Sequence, residues 1–468
     1  MLKKAIYPIF IIVLFFILII TLLIANFTVA PFVTDIELSE SIKYEDKMII
    51  NIDVGNYFYK FDKTTYCLVV PKDEKVDKSH EGWILAKKDN CSFIVNDGDY
   101  DIYLKDRYGN ISNLNTQKVK VNKVLEVKPS KNIVYMYKGM KTKISYSIVK
   151  LGDGSEDITW SSENSSIANV NDGVIEAVGY GSTRIILTGE GNVTGHVDVI
   201  VSPLITKPKI DFNKSYITCH QFNESDADMI DKILFDRIDD AGYGTRAGVV
   251  AAARFATLEF AYRIDYFYEN GRLNNYNPFP KVDGEGRYYH RGMYLNENKF
   301  ASLVEGATYV GLAIWGCDLK NFTNWGKWVR NRYYPNGLDC SGFVAWALLN
   351  GGFDVGDIGA GEDGDTTHKS MPDLGTKLNI TPELMNSGRV KAGDLIGLSG
   401  HAAILAGWDD ENYYIAESLN TTGGVVMTTV SKWNLEHRNS IYTFVVLMDD
   451  VYKEDGNYTQ MWSWKKVT

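Results

Sequence analysis

At 468 residues the chain is too long for one ordinary domain of about 150 residues and long enough for about three. A hydrophobic share of 45% with 13% aromatics excludes a largely disordered protein. The net charge of -10, without any Lys- or Arg-rich run, argues against nucleic acid as a partner, and no CxxC, HExxH or P-loop motif offers a metal or nucleotide site.

Lys3 and Lys4 precede an apolar run from Ala5 to Ala30 that is broken only by Pro8, Thr21, Asn26 and Thr28. About 20 apolar residues at about 1.5 Å each cross a hydrocarbon layer about 30 Å thick, whereas signal-peptide cores have about 7 to 15. Residues 1–30 are therefore expected to be a transmembrane anchor, with the lysines in the cytoplasm and the chain after Thr34 outside it.

From 33 to 122 the pattern is short strands and turns: Met48 to Val54 alternates, Tyr66 to Val70 is a strand, and Tyr100 to Lys105 alternates before Tyr108-Gly109-Asn110. This predicts an antiparallel sandwich similar to the immunoglobulin-like modules of bacterial surface proteins, with Trp83, Cys67 and Cys91 as core and staple. A second all-β unit spans 123–203. Its Ile158-Thr159-Trp160-Ser161-Ser162, Ile167-Ala168-Asn169-Val170 and Gly173-Val174-Ile175 resemble the bacterial immunoglobulin-like repeat of intimin- and invasin-type adhesins, with Trp160 and Ile167 filling the core. Both modules read as a stalk.

After a linker from Ser202-Pro203 to Pro208, a third domain is expected over 209–468. Ser225 to Asp240 has helical spacing with Ser225 as N-cap, and Arg246 to Tyr262 is a second helix. The stretch from Gly271 to Pro335 carries Trp315, Trp325 and Trp328, which either line a groove or form a local core. Pro335, Asn336 and Gly337 then stop the chain, and Phe343, Val344, Ala347 and Leu348 resume at helical spacing, which puts Cys340 at a helix N-terminus. Unpaired backbone N–H groups and the helix dipole favour an anion there. The acidic loop after that helix, with Asp354, Asp357, Glu362, Asp363 and Asp365, lacks the ligand order of a calcium loop and reads as solvated.

A nucleophilic thiol needs an imidazole beside it in space. Two short apolar strands flank the Ser399-Gly400 turn, and His401 opens the second. A third group that orients the imidazole should come from the next strand, Tyr413 to Asn420. With a turn near Asp410-Glu411, simple antiparallel register puts Asn420 opposite His401.

Asp339-Cys340-Ser341-Gly342-Phe343, Gly393-Asp394-Leu395 and Gly400-His401-Ala402-Ala403-Ile404 together resemble the NlpC-type family of cell-wall cysteine peptidases, small papain-like hydrolases of α+β fold. The resemblance implies Cys340 as nucleophile, His401 as base and a third residue nearer the turn, Glu417, ahead of Asn420. It also implies oxyanion or substrate contacts from Tyr266, Ser341 and Asn420. Tyr266 matches a family tyrosine and Tyr268 a later aromatic, but Asp265 stands where the family has proline and Glu269-Asn270 where it has paired glycines.

Five cysteines in an exported chain leave one thiol free or shared with another molecule. If Cys340 is the working thiol, the rest allow Cys67–Cys91, worth about 3 kcal/mol by chain entropy, and Cys219–Cys317; spacing fixes neither pairing nor oxidation state. The expectation is a single-pass, membrane-anchored cysteine endopeptidase outside the cytoplasm, acting without metal or cofactor on peptidoglycan stem peptides. The family implies the γ-D-glutamyl bond. The rival expectation is a non-catalytic adhesion or wall-binding scaffold protein.

Overall fold

The computed structural model describes residues 2–41, 47–114, 116–120, 122–152, 154–210, 222–267, 290–295, 313–320, 329–356, 358–360 and 369–458. The chain divides into two compact units, one of residues 1–130, 144–161 and 186–196, the other of residues 131–143, 162–185 and 197–468. The boundary runs through the second β module.

The N-terminal apolar run is a single helix, α1 (Leu2–Thr28). Its segment Ile9–Thr28 is long and apolar enough to cross a membrane, and almost none of it is covered by protein. A helix that is apolar all round and left bare in this way is what a lipid-facing span or a signal sequence requires.

The first module follows as two sheets. Strands β1 (Phe32–Glu40), β2 (Met48–Gly55) and β5 (Asn90–Val95) form one. Strands β4 (Ile84–Leu85), β3 (Thr65–Pro71), β6 (Gly98–Asp106) and β7 (Ile111–Asn113) form the other, with β8 (Gln117–Val119) also on β6. Alternation sends Ile50 and Ile52 of β2 and Ile102 and Leu104 of β6 into one core, where the Cys67–Cys91 disulfide joins β3 to β5. Trp83 is not core. It lies half-buried, its ring under the Lys105 ammonium at 4.5 Å and its N–H on the Asp77 carbonyl.

In the second module Lys123–Pro129 pairs antiparallel with Tyr146–Leu151 in the first unit. In the second unit Val174–Ala177 pairs with both Lys141–Lys143 and Ala168–Asn171. Trp160 and Ile167 are only half-buried, Trp160 meeting Tyr146 edge-on at 5.8 Å. In the second unit the buried positions go instead to other aliphatic residues such as Ile175, Ile185, Val197 and Val199. Both N-terminal modules are thus β-sandwiches of the immunoglobulin-like kind.

The C-terminal part sets helices against a sheet. Helix α2 (Glu224–Ala241) starts earlier than expected because Asn223, not Ser225, caps it: the Asn223 side-chain oxygen accepts the Asp226 N–H at 2.7 Å. Helix α3 (Arg246–Arg254), capped by Thr245, gives way to a π-turn over Phe255–Glu259 instead of running to Tyr262. Helix α4 (Cys340–Asn350) is apolar on every side, since it packs against both α3 and the sheet.

That sheet has six antiparallel strands: β9 (Thr376–Asn379), β10 (Leu395–Leu398), β11 (His401–Trp408), β12 (Asn412–Leu419), β13 (Gly424–Ser431) and β14 (Phe444–Leu447), in the spatial order β9-β14-β10-β11-β12-β13. Along β11, Ala402, Ile404 and Ala406 face the cluster built on the helices, and Ala403 and Leu405 face a second core that contains Ile380 and Leu435. Burial on both faces explains why β11 reads as an unbroken apolar run. Arg246 of α3 reaches Asp394 at 2.5 Å with both side chains buried, so the Gly393-Asp394 pair anchors helix to sheet. Asp394 also accepts the Met448 and Lys391 N–H groups.

Candidate active site

Cys340 is the first residue of α4, and Asp339 caps the helix, its carboxylate accepting the Gly342 N–H at 2.7 Å. The cap follows from sequence: an aspartate directly before an apolar helical run satisfies a donor that the first turn leaves unpaired. The turn before it is fixed by Gly337, where a Cβ would lie 2.0 Å from the Asp265 carbonyl, so only glycine fits against that strand. Ser341 is buried, with its hydroxyl turned to the Asp339 carboxylate at 3.4 Å. Cys340 is the free cysteine among the described residues and is buried, while Cys317 is disulfide-bonded. Cys219, the partner expected for Cys317, lies outside the described residues.

His401 opens β11 directly after a two-residue hairpin loop, Ser399-Gly400, in which Gly400 holds φ +83°. The Cys340 Sγ lies 4.0 Å from the Gly400 carbonyl oxygen, and the thiol is close enough to the His401 ring to help raise its pKa. The other side of the ring is also occupied: His401 Nε2 meets Glu417 Oε2 at 2.7 Å. Glu417 is wholly buried, yet its carboxylate is satisfied, by the Tyr442 hydroxyl on Oε2 at 2.7 Å and the Thr428 hydroxyl on Oε1. Burial alone would lower the imidazole's pKa. Interactions with Cys340 and Glu417, together with the Glu417 charge, outweigh it and raise the value to about 9. Burial, then the Glu417 charge, pushes the Tyr442 hydroxyl far above its ordinary value, so it serves only as a donor.

The register explains why Glu417 and not Asn420 meets the imidazole. Near the turn, Gly407 pairs with Tyr414 and Trp408 with Tyr413, as a turn at Asp410-Glu411 requires. An extra residue in β11 between Leu405 and Gly407 then shifts the ladder, so that Ala403 pairs with Glu417. A slip of one residue exchanges the faces of a strand, and here it brings Glu417 to the face of His401 and Ala403. Asn420 lies exposed in the following turn, where its carbonyl accepts the Gly423 N–H.

Tyr266 sits half-buried on the segment beside the Cys340 loop. Its N–H donates to the Gly423 carbonyl at 3.0 Å, and the Asp265 carbonyl accepts the Leu338 N–H at 3.0 Å. Asp265, where the family has proline, pairs with Arg263 at 2.8 Å, and burial raises its pKa above the usual carboxylate value. Trp315 is buried and stacked on His290 at 5.1 Å, part of a local core and not a groove wall. Tyr268, Glu269, Asn270, Trp325, Trp328, Asp357, Glu362, Asp363 and Asp365 lie outside the described residues. Sequence reasoning missed Tyr442 and Thr428, because their contacts depend on strand neighbours that no local spacing reveals.

No family model and no curated protein matches the chain. Among solved structures, the chain is similar to a C-terminal 282-residue fragment of intimin in complex with the intimin-binding domain of the translocated intimin receptor, at 11% identity over 40% of this chain and 72% of that one, with a TM-score of 0.28. It is also similar to an S-layer protein, rSbsC, at 14% identity over 38% and 29% of the two chains and a TM-score of 0.19. A third likeness is to the N-terminal eight Ig domains of the Down syndrome cell adhesion molecule, at 8% identity over 37% and 25%, with a TM-score of 0.23.

Proposed function

We propose that the chain is a membrane-anchored cysteine endopeptidase that hydrolyses an amide bond in peptidoglycan stem peptides outside the cytoplasm, using a papain-like α+β domain. The observation that carries this reading is one buried free thiol at a helix start, near an imidazole whose Nε2 rests on a buried carboxylate. The same grouping serves any amide hydrolase. The stem peptide and its γ-D-glutamyl bond come from the resemblance to the NlpC-type family.

In the proposed cycle the Cys340 thiolate, paired with the His401 imidazolium, attacks the amide carbonyl. The backbone N–H of Cys340 stabilises the oxyanion. As the C–N bond breaks, His401 gives its proton to the leaving amine and a thioester remains on Cys340. His401 then takes a proton from water as its oxygen attacks the thioester; the C–S bond breaks, the carboxylic acid leaves and the Cys340 thiolate and His401 imidazolium are restored. Glu417 keeps the ring in the orientation and charge state that these transfers require.

The test is incubation of the full chain with purified peptidoglycan, followed by mass analysis of soluble fragments. Peptide release that Cys340→Ala abolishes supports the reading; undiminished release by that variant removes Cys340 as nucleophile. A second reading, a non-catalytic adhesion or wall-binding protein, draws on the two β-sandwich modules. Binding to the wall with no release by the unaltered chain would favour it.

A further inference from the structure

The loop between β2 and β3 turns the usual preference of surface residues inside out. Lys60 is buried, with its ammonium on Asp106 at 2.9 Å, while its neighbours Phe58 and Phe61 are 89% and 78% exposed. A water-facing loop keeps its lysine outside and its phenyl rings inside. Sequestering an ion pair costs several kcal/mol per ion before the attraction is counted, so this arrangement is sustained only by well-made bonds.

Those bonds run to the end of the apolar helix. The Phe61 N–H donates to the side-chain oxygen of buried Asn26 at 2.8 Å. The Asn110 amide donates both to the Phe27 carbonyl, at 2.7 Å, and to Asp106, at 2.8 Å. Asp106 in turn holds Lys60. Helix end and loop are therefore one hydrogen-bonded body. Around this joint Tyr57 packs at a tilt on Phe32 at 4.9 Å and Phe27 meets Tyr108 edge-on at 5.0 Å. Asn26 and Phe27 come directly before Thr28, the last residue of the segment able to span a bilayer, Ile9–Thr28. That level is where hydrocarbon meets water and where aromatic rings are favoured.

We propose that the first β module is seated on the bilayer, with Phe58 and Phe61 inserted at the boundary between headgroups and acyl chains. This rests on reading α1 as a membrane span. The module then acts as a foot that fixes the angle at which the chain leaves the membrane, and not as a freely swivelling stalk.

The experiment places a nitroxide on single introduced cysteines in the full chain, reconstituted in lipid vesicles with Cys340→Ala as background. The sites are Leu18→Cys within the span, Phe58→Cys, Phe61→Cys and Asn96→Cys. Asn96 follows β5, whose Val95 pairs with Met48 at the far end of β2 from the loop, roughly 25 Å away. The expected result is that labels at 18, 58 and 61 collide more with oxygen than with a water-soluble nickel chelate, and that the label at 96 shows the reverse. A deep label at 18 with 58 and 61 as wet as 96 overturns the seating while the span stands. Labels at 58 and 61 shielded from both reagents mean that protein covers them, which also overturns it. A wet label at 18 removes the span and this inference with it.

Discussion

Replacing Glu417 by glutamine separates what the carboxylate does by its charge from what it does by its shape. The side chains are nearly isosteric. With its oxygen kept toward His401 Nε2 and the Tyr442 hydroxyl, the new amide group faces Thr428, whose hydroxyl turns to accept. The ring stays oriented and loses its anion. A hydrogen bond to a charged group contributes about 1.5–3 kcal/mol and a neutral one about 0.5–1.5, so about 1–2 kcal/mol of imidazolium stabilisation disappears. At 1.36 kcal/mol per pH unit, the alkaline limb of kcat/KM, set by His401 near 9, moves down by roughly one unit, and kcat/KM near neutrality falls by roughly tenfold.

Stability carries the same signature with a definite sign. Because the folded imidazole titrates near 9, above its ordinary value of 6.5, its charged form contributes fully below 6.5, and that contribution is lost as pH rises through about 9. The Tm of Glu417→Gln therefore lies below that of the unaltered protein under acidic and neutral conditions, and the gap narrows across 6.5 to 9. Thermal melts and pH–rate profiles on stem-peptide substrate measure both. A limb that stays in place, or a gap independent of pH, refutes the electrostatic role given to Glu417.

Tyr442→Phe removes one donor from Glu417 Oε2, leaving an anion that draws harder on the imidazolium, so the alkaline limb moves up, opposite to Glu417→Gln, with stability lower by about 1 kcal/mol; a downward move in the pH–rate profile counts against this. Arg246→Met leaves Asp394 buried without its cation, and urea unfolding is expected to show a loss of about 3–5 kcal/mol. A loss under about 1 kcal/mol there would mean that the backbone N–H groups on Asp394 suffice.

The parts of the site that rest on local signals were legible. Asp339 before an apolar run marks the start of α4, and the Ser399-Gly400 loop marks the start of β11. Glu417 was not legible from spacing, because the extra residue before Gly407 moves the ladder by one; the family resemblance, not the hairpin arithmetic, pointed to it. Tyr442 was hidden for a related reason: a side chain that completes a buried carboxylate is chosen by strand order, and β14, which Tyr442 precedes, enters the sheet between β9 and β10, away from its sequence neighbour β13. Helix boundaries erred where two capping residues compete, as Asn223 and Ser225 do. The β2–β3 loop gave no warning, since a lysine among aromatic residues reads as a charged tip and not as a buried anchor.

Under the proposed function, the state of the cysteines has a practical meaning. Cys67, Cys91 and Cys317 are already spoken for, so Cys340 has none of them as a partner for an internal bridge. With no bridging partner among the described cysteines, an oxidant acting on it would be peroxide or a small disulfide able to reach a recessed sulfur, and such an adduct would be cleared by an external thiol. The working lifetime of this protein would then be set by the oxidants around the cell and not by its own folding equilibrium.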